Sequence, residues 1–249
     1  MNTLSIVIPA LNEASNLPAV MGTVPVAELA AAGWRTEVVV VDNASTDDTA
    51  AVAHALGARV VHQPERGYGN AYLAGFDVAT GDVIATGDAD CTYPFDALPD
   101  LLRTLVDQDV EFMTTDRLHR TNRRAMKASH FVANHALSAL SRTLFRNGLR
   151  DSQSGMWIFR RYIWDGLDVR SAGMAFSQEI KNAATTAGYR FMEVPIEYRT
   201  RGGEVKLNAL PDGMANLRQL FNHRFRRQGG RGETGIPAQE QRSERYEAV

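Results

Sequence analysis

One cysteine, Cys91, occurs in 249 residues, which excludes any disulfide within the chain and any cysteine-built zinc site. Excess charge is equally scarce: 27 Lys and Arg against 29 Asp and Glu leave a net charge of -2. No bulk cationic field draws the chain to nucleic acid, and nucleic acid is not an expected partner. Long apolar runs are missing too. A stretch such as Val38–Val41 falls far below the ~20 residues needed to cross a bilayer. The opening MNTLSIVIP lacks the cationic start and extended apolar core of a secretory leader, so the expected location is cytoplasmic. What is present, 44% apolar and 22% charged residues, is the composition of a folded soluble protein. The length suits one large domain or two small ones.

The first half alternates strands and helices. Leu4–Ile8, Glu37–Val41, Arg59–His62 and Asp82–Thr86 are short apolar runs, as in strands covered on both faces of a parallel sheet. Between them, helices are predicted over residues 16–32, from a capping box at Ser45 and Asp48 to the stop at Gly57, and over 70–80. That rhythm indicates right-handed βαβ units and an α/β doubly wound, mostly parallel sheet with helices on both faces. Further helices are predicted over 95–108, 122–146, 177–187 and 210–227, and strands over 110–115, 155–160 and 190–198. Residues 1–115 read as a nucleotide-type half and 116–208 as an acceptor-type half of one domain. Residues 209–227 form a basic amphipathic helix, and 228–249, without apolar periodicity, a disordered tail.

Open α/β sheets bind ligands outside the carboxyl ends of their strands. Those ends carry Asn12 and Glu13, Asp42 and Asn43, and Asp88-Ala89-Asp90, so three polar clusters converge on one crevice. Asp42 followed by Ser45 is also the pattern of a helix cap. Two carboxylates at i and i+2 can both face a hard cation, or one can hold it while the other takes a ribose hydroxyl. Mg²⁺ or Mn²⁺ favours such oxygen ligands, few from the protein and the rest from phosphates and water. Arg66-Gly67-Tyr68-Gly69-Asn70-Ala71 combines bare backbone and a cation ahead of a helix. It reads either as a phosphate-approach loop or as a turn needing glycine freedom.

The segments 5–13, 39–49 and 67–90, with Gly87-Asp88-Ala89-Asp90 and Asp151-x-x-Ser154-Gly155, resemble inverting family 2 glycosyltransferases of the GT-A fold. Together with Glu193–Tyr198 and Arg201-Gly202-Gly203-Glu204-Val205-Lys206, they are similar to the polyprenyl-phosphate sugar transferases of the dolichyl-phosphate mannose and glucose synthase type. The resemblance covers residues 4–208 and implies roles at matching positions. Pro9, Asn12 and Glu13 line the nucleotide pocket with Gly69 and Ala89. Asp42 accepts a hydrogen bond from the base, Asp88 lies near ribose or metal, and Asp90 is the principal metal ligand. Glu179 faces the acceptor, while Arg201 and Lys206 close over the diphosphate. The donor implied is a GDP- or UDP-hexose. Three departures stand out: Thr92 replaces a common Gln, Asn43 replaces a common acid, and no membrane span follows the catalytic region.

The acceptor is a polyprenyl phosphate or a small hydroxyl compound. Arg117, Arg120, Arg123, Arg124 and Lys127 form a cationic stretch suited to an acceptor phosphate or to a solvated helix face. Asp151 with Ser152 either orients the acceptor or caps the strand at Gly155, and the resemblance implies acceptor binding at Asp151 and Ser154. Trp157, Trp164, Met174 and Phe176 read as core. Arg218, Arg224, Arg226, Arg227 and Arg231, with Met214, Leu217, Leu220, Phe221 and Phe225 at helical spacing, form either a helix docked on the core or one lying peripherally on the inner face of the membrane. A nucleotidyltransferase and a non-catalytic sugar-nucleotide sensor are rival classes; the first would release pyrophosphate, the second would turn nothing over.

Overall fold

Strand β1 (Asn2–Ala10) shows why an apolar run interrupted only by the buried Ser5 lies inside this sheet. Leu4, Ile6 and Ile8 join the core on one face, while Val7 points into the core on the other. The structure, a computed structural model, describes residues 2–119, 122, 128–202 and 209–225.

The helix expected over 16–32 is two short ones, α1 (Leu17–Gly22) and α2 (Val26–Ala31). Pro25 stands at the N-cap of the second, where its missing N–H and ring forbid a continuous helix. Strand β2 (Trp34–Asp42) repeats the logic of β1, with Val40 facing one core and Val39 and Val41 the other. Helix α3 (Thr49–Ala55) begins later than its expected box. Ser45 accepts the Asn12 N–H instead (2.9 Å), and Asp47 receives both the N–H and the hydroxyl of Thr49.

After β3 (Arg59–His62) comes α4 (Tyr68–Val78), which lies close on the sheet because Gly75 has no side chain. A Cβ there would stand 2.4 Å from Val7 Cγ1. Strand β4 (Val83–Thr86), a 3-10 turn at Phe95–Ala97 and α5 (Leu98–Asp107) follow. The second half supplies β5 (Phe112–Asp116), α6 (Ala128–Phe145), β6 (Trp157–Arg160), α7 (Phe176–Thr186), β7 (Phe191–Pro195) and α8 (Ala209–Phe225). Trp157, Trp164 and Phe176 are core. The tail expected over 228–249 lies outside the described residues.

Among the described residues, seven strands form one sheet in the order β3-β2-β1-β4-β6-β5-β7. Its neighbours pair in parallel except at β6, which runs against both β4 and β5. This polarity positions the site. The carboxyl ends of β1, β2, β4, β5 and β7 meet at one edge, and the single reversed strand brings its amino end, preceded by residues 151–156, to that same edge.

Candidate active site

Each of the loops after β1, β2 and β4 contains one non-glycine residue in the left-handed region: Asn12 (φ 52°), Ala44 (φ 59°) and Cys91 (φ 66°). Such backbone persists only where the surroundings over-determine it. The loops after β1 and β2 are stitched together. Thr46 N–H donates to Asn12 Oδ1 (2.7 Å), Glu13 N–H to Thr49 Oγ1 (2.9 Å) and Ala14 N–H to Asp47 Oδ2 (3.2 Å). Asn12 thus shapes the wall of the crevice. Pro9 lies beyond Val7, the last β1 residue paired with β4, where the two strands part.

Asp42, buried at the end of β2, takes the Ser45 N–H on Oδ1 (3.2 Å) and stands 3.2 Å from Nδ1 of the exposed His62 through Oδ2. The cap-like turn and the crevice-edge carboxylate are therefore one residue. Asn43 bridges to the next loop: its Oδ1 accepts the Gly67 N–H (2.7 Å) and its Nδ2 donates to the Gln63 and Glu65 carbonyls. An acid at this position could not make the two donations.

The Asp88–Asp90 turn is the electrostatic centre. Ala89 is buried between the two acids. Asp90 Oδ1 accepts the Thr92 hydroxyl (2.6 Å) and N–H (3.1 Å), and its Oδ2 pairs with Arg201 Nη2 at 2.8 Å. Thr92 thus orients the carboxylate. Burial raises the pKa of Asp88, and the Asp90 charge raises it further, to about 7, against the Tyr68 hydroxyl and Arg201, which pull it down. Tyr68 Oη donates to Asp88 Oδ1 (2.9 Å). A Cβ on Gly155 would sit 2.3 Å from that oxygen and 3.5 Å from Asp88 Oδ1, so the glycine makes room for the contact. Tyr93 Oη accepts the Gly155 N–H (2.6 Å) and completes the cluster.

The segment carrying Arg201 is tied across this turn. Arg199 N–H donates to the Thr92 carbonyl (2.9 Å) and Gly202 N–H to the Asp90 carbonyl (2.8 Å). Asn16 Nδ2 reaches both Glu13 Oε2 (2.6 Å) and the Gly202 carbonyl (3.2 Å). Glu13 therefore anchors the strap through Asn16. Lys206 lies outside the described residues.

Gly69 lies against the backbone of residues 171–172. A Cβ on Gly69 would stand 1.8 Å from the Ser171 carbonyl oxygen, and one on Gly67 2.3 Å from that of Ala172. The bare backbone admits this segment, and Asn70 N–H donates to the Ala172 carbonyl (3.1 Å). Glu179 belongs to the same device. Fully buried in the first turn of α7, it accepts the Ser171 N–H (2.7 Å) and the Arg170 N–H (3.1 Å) on Oε2.

Arg117 is also engaged otherwise than expected. It forms a two-pronged pair with Asp151, Nε to Oδ2 at 2.7 Å and Nη2 to Oδ1 at 3.0 Å, and its guanidinium lies 5.3 Å from the Tyr198 ring centre. Burial works against the Asp151 carboxylate, but Arg117 and Lys181 outweigh it and hold its pKa below the usual range. Lys181 Nζ donates to the Asp151 and Ser154 carbonyls (3.0 and 2.8 Å), and burial lowers its pKa to about 7. Ser154 Oγ meets Thr115 Oγ1 at 2.7 Å. Arg117, Asp151 and Ser154 thus form a buried frame at the amino end of β6. Of the other expected cations, Arg120, Arg123, Arg124 and Lys127 lie outside the described residues.

The sheet edge thus gathers the paired acids Asp88 and Asp90, the strap cation Arg201 and a third carboxylate at Asp42. The glycosyl transferase family 2 profile matches residues 5–167. The chain belongs to glycosyl transferase family 2. The Haloferax volcanii low-salt glycan biosynthesis hexosyltransferase Agl6 is 37% identical over 221 residues, covering 88% of this chain and 53% of that protein. This chain thus spans about half the length of that relative. The dolichyl-phosphate hexose transferase of the same organism is 34% identical over 73% of this chain and 78% of its own. Polyprenol monophosphomannose synthase of Mycolicibacterium smegmatis is 30% identical over 79% and 77%. Among solved structures, glucosyl-3-phosphoglycerate synthase of Mycobacterium tuberculosis with Mn²⁺, UDP-glucose and phosphoglyceric acid superposes with a TM-score of 0.69. It is 24% identical and covers 90% of this chain and 79% of that one, which shows the shared fold of this family 2 glycosyltransferase.

Proposed function

We propose that this glycosyltransferase moves a hexose from a GDP- or UDP-sugar to a polyprenyl phosphate, with inversion and with Mg²⁺ or Mn²⁺. The observation that carries the reading is the Asp88–Asp90 turn under the Arg201 strap. Among the described residues no group of three or more His, Cys, Asp or Glu could hold a metal. A two-carboxylate site suits a cation that keeps waters and phosphate oxygens as its other ligands. Asp90, with Asp88 beside it, would hold the ion. Bound there, the ion would neutralise charge on the departing diphosphate.

The chain's own residues supply the rest. Asp42 would accept an imide N–H of uracil or guanine, and Arg201 would take diphosphate oxygens through charge-assisted bonds. An oxygen of the acceptor phosphate attacks the anomeric carbon. The bond from that carbon to the diphosphate oxygen breaks, its electron pair stays on that oxygen, and the nucleoside diphosphate leaves. Such an acceptor arrives ionised and requires no general base. That agrees with a Glu179 whose carboxylate holds the backbone of residues 170–171. The names of the relatives acting on dolichyl and polyprenol phosphates support the same acceptor. A lipid acceptor also implies contact with a membrane surface; no helix among the described residues is long and apolar enough to cross one.

The test is a product assay with short-chain polyprenyl phosphate, GDP- and UDP-hexoses and Mn²⁺. Release of nucleoside diphosphate with formation of the lipid-linked sugar supports the reading. Release of pyrophosphate, or transfer only to hydroxyl compounds, overturns it.

A further inference from the structure

Helix α8 has two unlike faces. Its inner face is docked on the protein. Leu220 is 1% exposed, Asn216 Nδ2 donates to Gln153 Oε1 (3.0 Å), and Gln178 Nε2 donates to the Asn216 carbonyl (2.5 Å). His223 lies 5.1 Å from the Phe145 ring of α6, and Arg224 Nε donates to the Leu144 carbonyl (2.8 Å). These contacts fix the helix and its rotation. Its outer face is apolar and, among the described residues, exposed: Met214 is 71% exposed, Phe225 70%, Phe221 42% and Leu217 40%.

At roughly 100° per residue, those four side chains fall on one stripe along residues 214–225. Arg218 falls on one flank of the stripe and Arg224 on the other, both exposed. No acid occurs between Gly213 and Phe225. The other large exposed apolar residues, such as Val26, Leu56 and Tyr162, are scattered singly and require no explanation. An apolar stripe bordered by cations on both sides is the pattern of a helix lying in the headgroup layer of an anionic bilayer.

We infer that the outer face of α8 is a docking surface for an anionic membrane, seating the protein with its acceptor half toward the lipid. The inference rests on the lipid-acceptor reading for its purpose and on the helix alone for its evidence. The docking is rigid: Asn216 bonds Gln153, which lies in the same 151–154 segment as the frame at the amino end of β6. A surface built this way places the site beside the bilayer that contains a polyprenyl phosphate.

The experiment is co-sedimentation of the full chain with phosphatidylcholine vesicles, with and without an equimolar share of phosphatidylglycerol. The expected result is binding to the anionic vesicles that weakens with salt. Arg218→Gln should weaken it about fivefold, and Met214→Ser with Phe225→Ser at least tenfold. Both serines replace solvent-exposed side chains, and an unchanged thermal midpoint verifies that the fold survives. Three outcomes overturn the inference: no wild-type binding, equal binding to neutral vesicles, or a wild-type dimer that the serine variant converts to monomer, which would make the stripe a self-interface. Transfer by the wild-type chain to a water-soluble short-chain polyprenyl phosphate is measured beside it. Failed transfer with intact vesicle binding sinks the acceptor reading, and the reverse sinks only the docking surface.

Discussion

Arg201 Nη2 lies 2.8 Å from Asp90 Oδ2, so the strap cation neutralises the carboxylate that would ligate the metal. The two Arg199 and Gly202 backbone bonds to Thr92 and Asp90 keep the strap in place when the side chain swings away. On the proposed reading, metal and guanidinium would compete for Asp90 in the absence of nucleotide and would act together on a diphosphate in its presence. Arg201→Ala is expected to bind Mn²⁺ alone several-fold more tightly than wild type, and Mn²⁺ with nucleoside diphosphate more weakly. Titration followed by electron paramagnetic resonance reads both. The same sign of change in the two titrations would refute the exchange.

The buried pair Arg117–Asp151 predicts a stability effect. Removing one partner leaves an uncompensated buried charge, which costs about 3–5 kcal/mol. Asp151→Leu should lose that much in urea unfolding, and adding Arg117→Met should recover part of it. Additive losses would show that the two residues act separately.

Much of this was legible in the sequence, for reasons that differ by residue. The runs around Ile6 and Val40 could only be strands covered on both faces, and Asp42, Asp88 and Asp90 follow such strands directly. Pairing between distant segments left no local mark. Nothing around Arg117 announces Asp151, and nothing around Gly69 announces the Ser171 carbonyl, because each contact depends on the reversed strand β6 or the approach to α7. Lys181, Asn16 and the Tyr68 hydroxyl carry no local signal of their partners for the same reason. Only the spacing Glu179-x-Lys181, two charges inside a helix that proves buried, hinted at internal partners. The capping box at Ser45 misled because the Ser45 hydroxyl faces Asn12 across the crevice.

Gly155 and Tyr68 offer a cycle. Gly155→Ala should drive Tyr68 Oη from Asp88 and reduce kcat/KM about tenfold or more, the effect of one lost hydrogen bond to a charged group. Tyr68→Phe should do the same, and the double variant should be little worse than either. Multiplying losses in a steady-state assay would contradict the contact.

Lys181 predicts a pH dependence. Its pKa is about 7 in the folded protein, lowered by burial from an ordinary 10.5. Below pH 7 both folded and unfolded chains hold the proton, and the burden of the buried charge is fully present. From about pH 7 to 10.5 the folded chain sheds its proton while the unfolded chain keeps it, so folding gains stability as pH rises. Urea unfolding of wild type and Lys181→Met across this range should show the wild type gaining relative to the variant. A flat or falling difference would contradict the assignment.

The most direct measurement is single-turnover transfer from a GDP- or UDP-hexose to polyprenyl phosphate, comparing wild type with Asp90→Ala, with Mn²⁺ and with chelator. The account predicts nucleoside diphosphate and lipid-linked hexose in equal amounts, lost with chelator and reduced on the order of 10²-fold or more in Asp90→Ala, as for a main electrostatic stabiliser. Near-normal transfer by Asp90→Ala in the presence of chelator would contradict it.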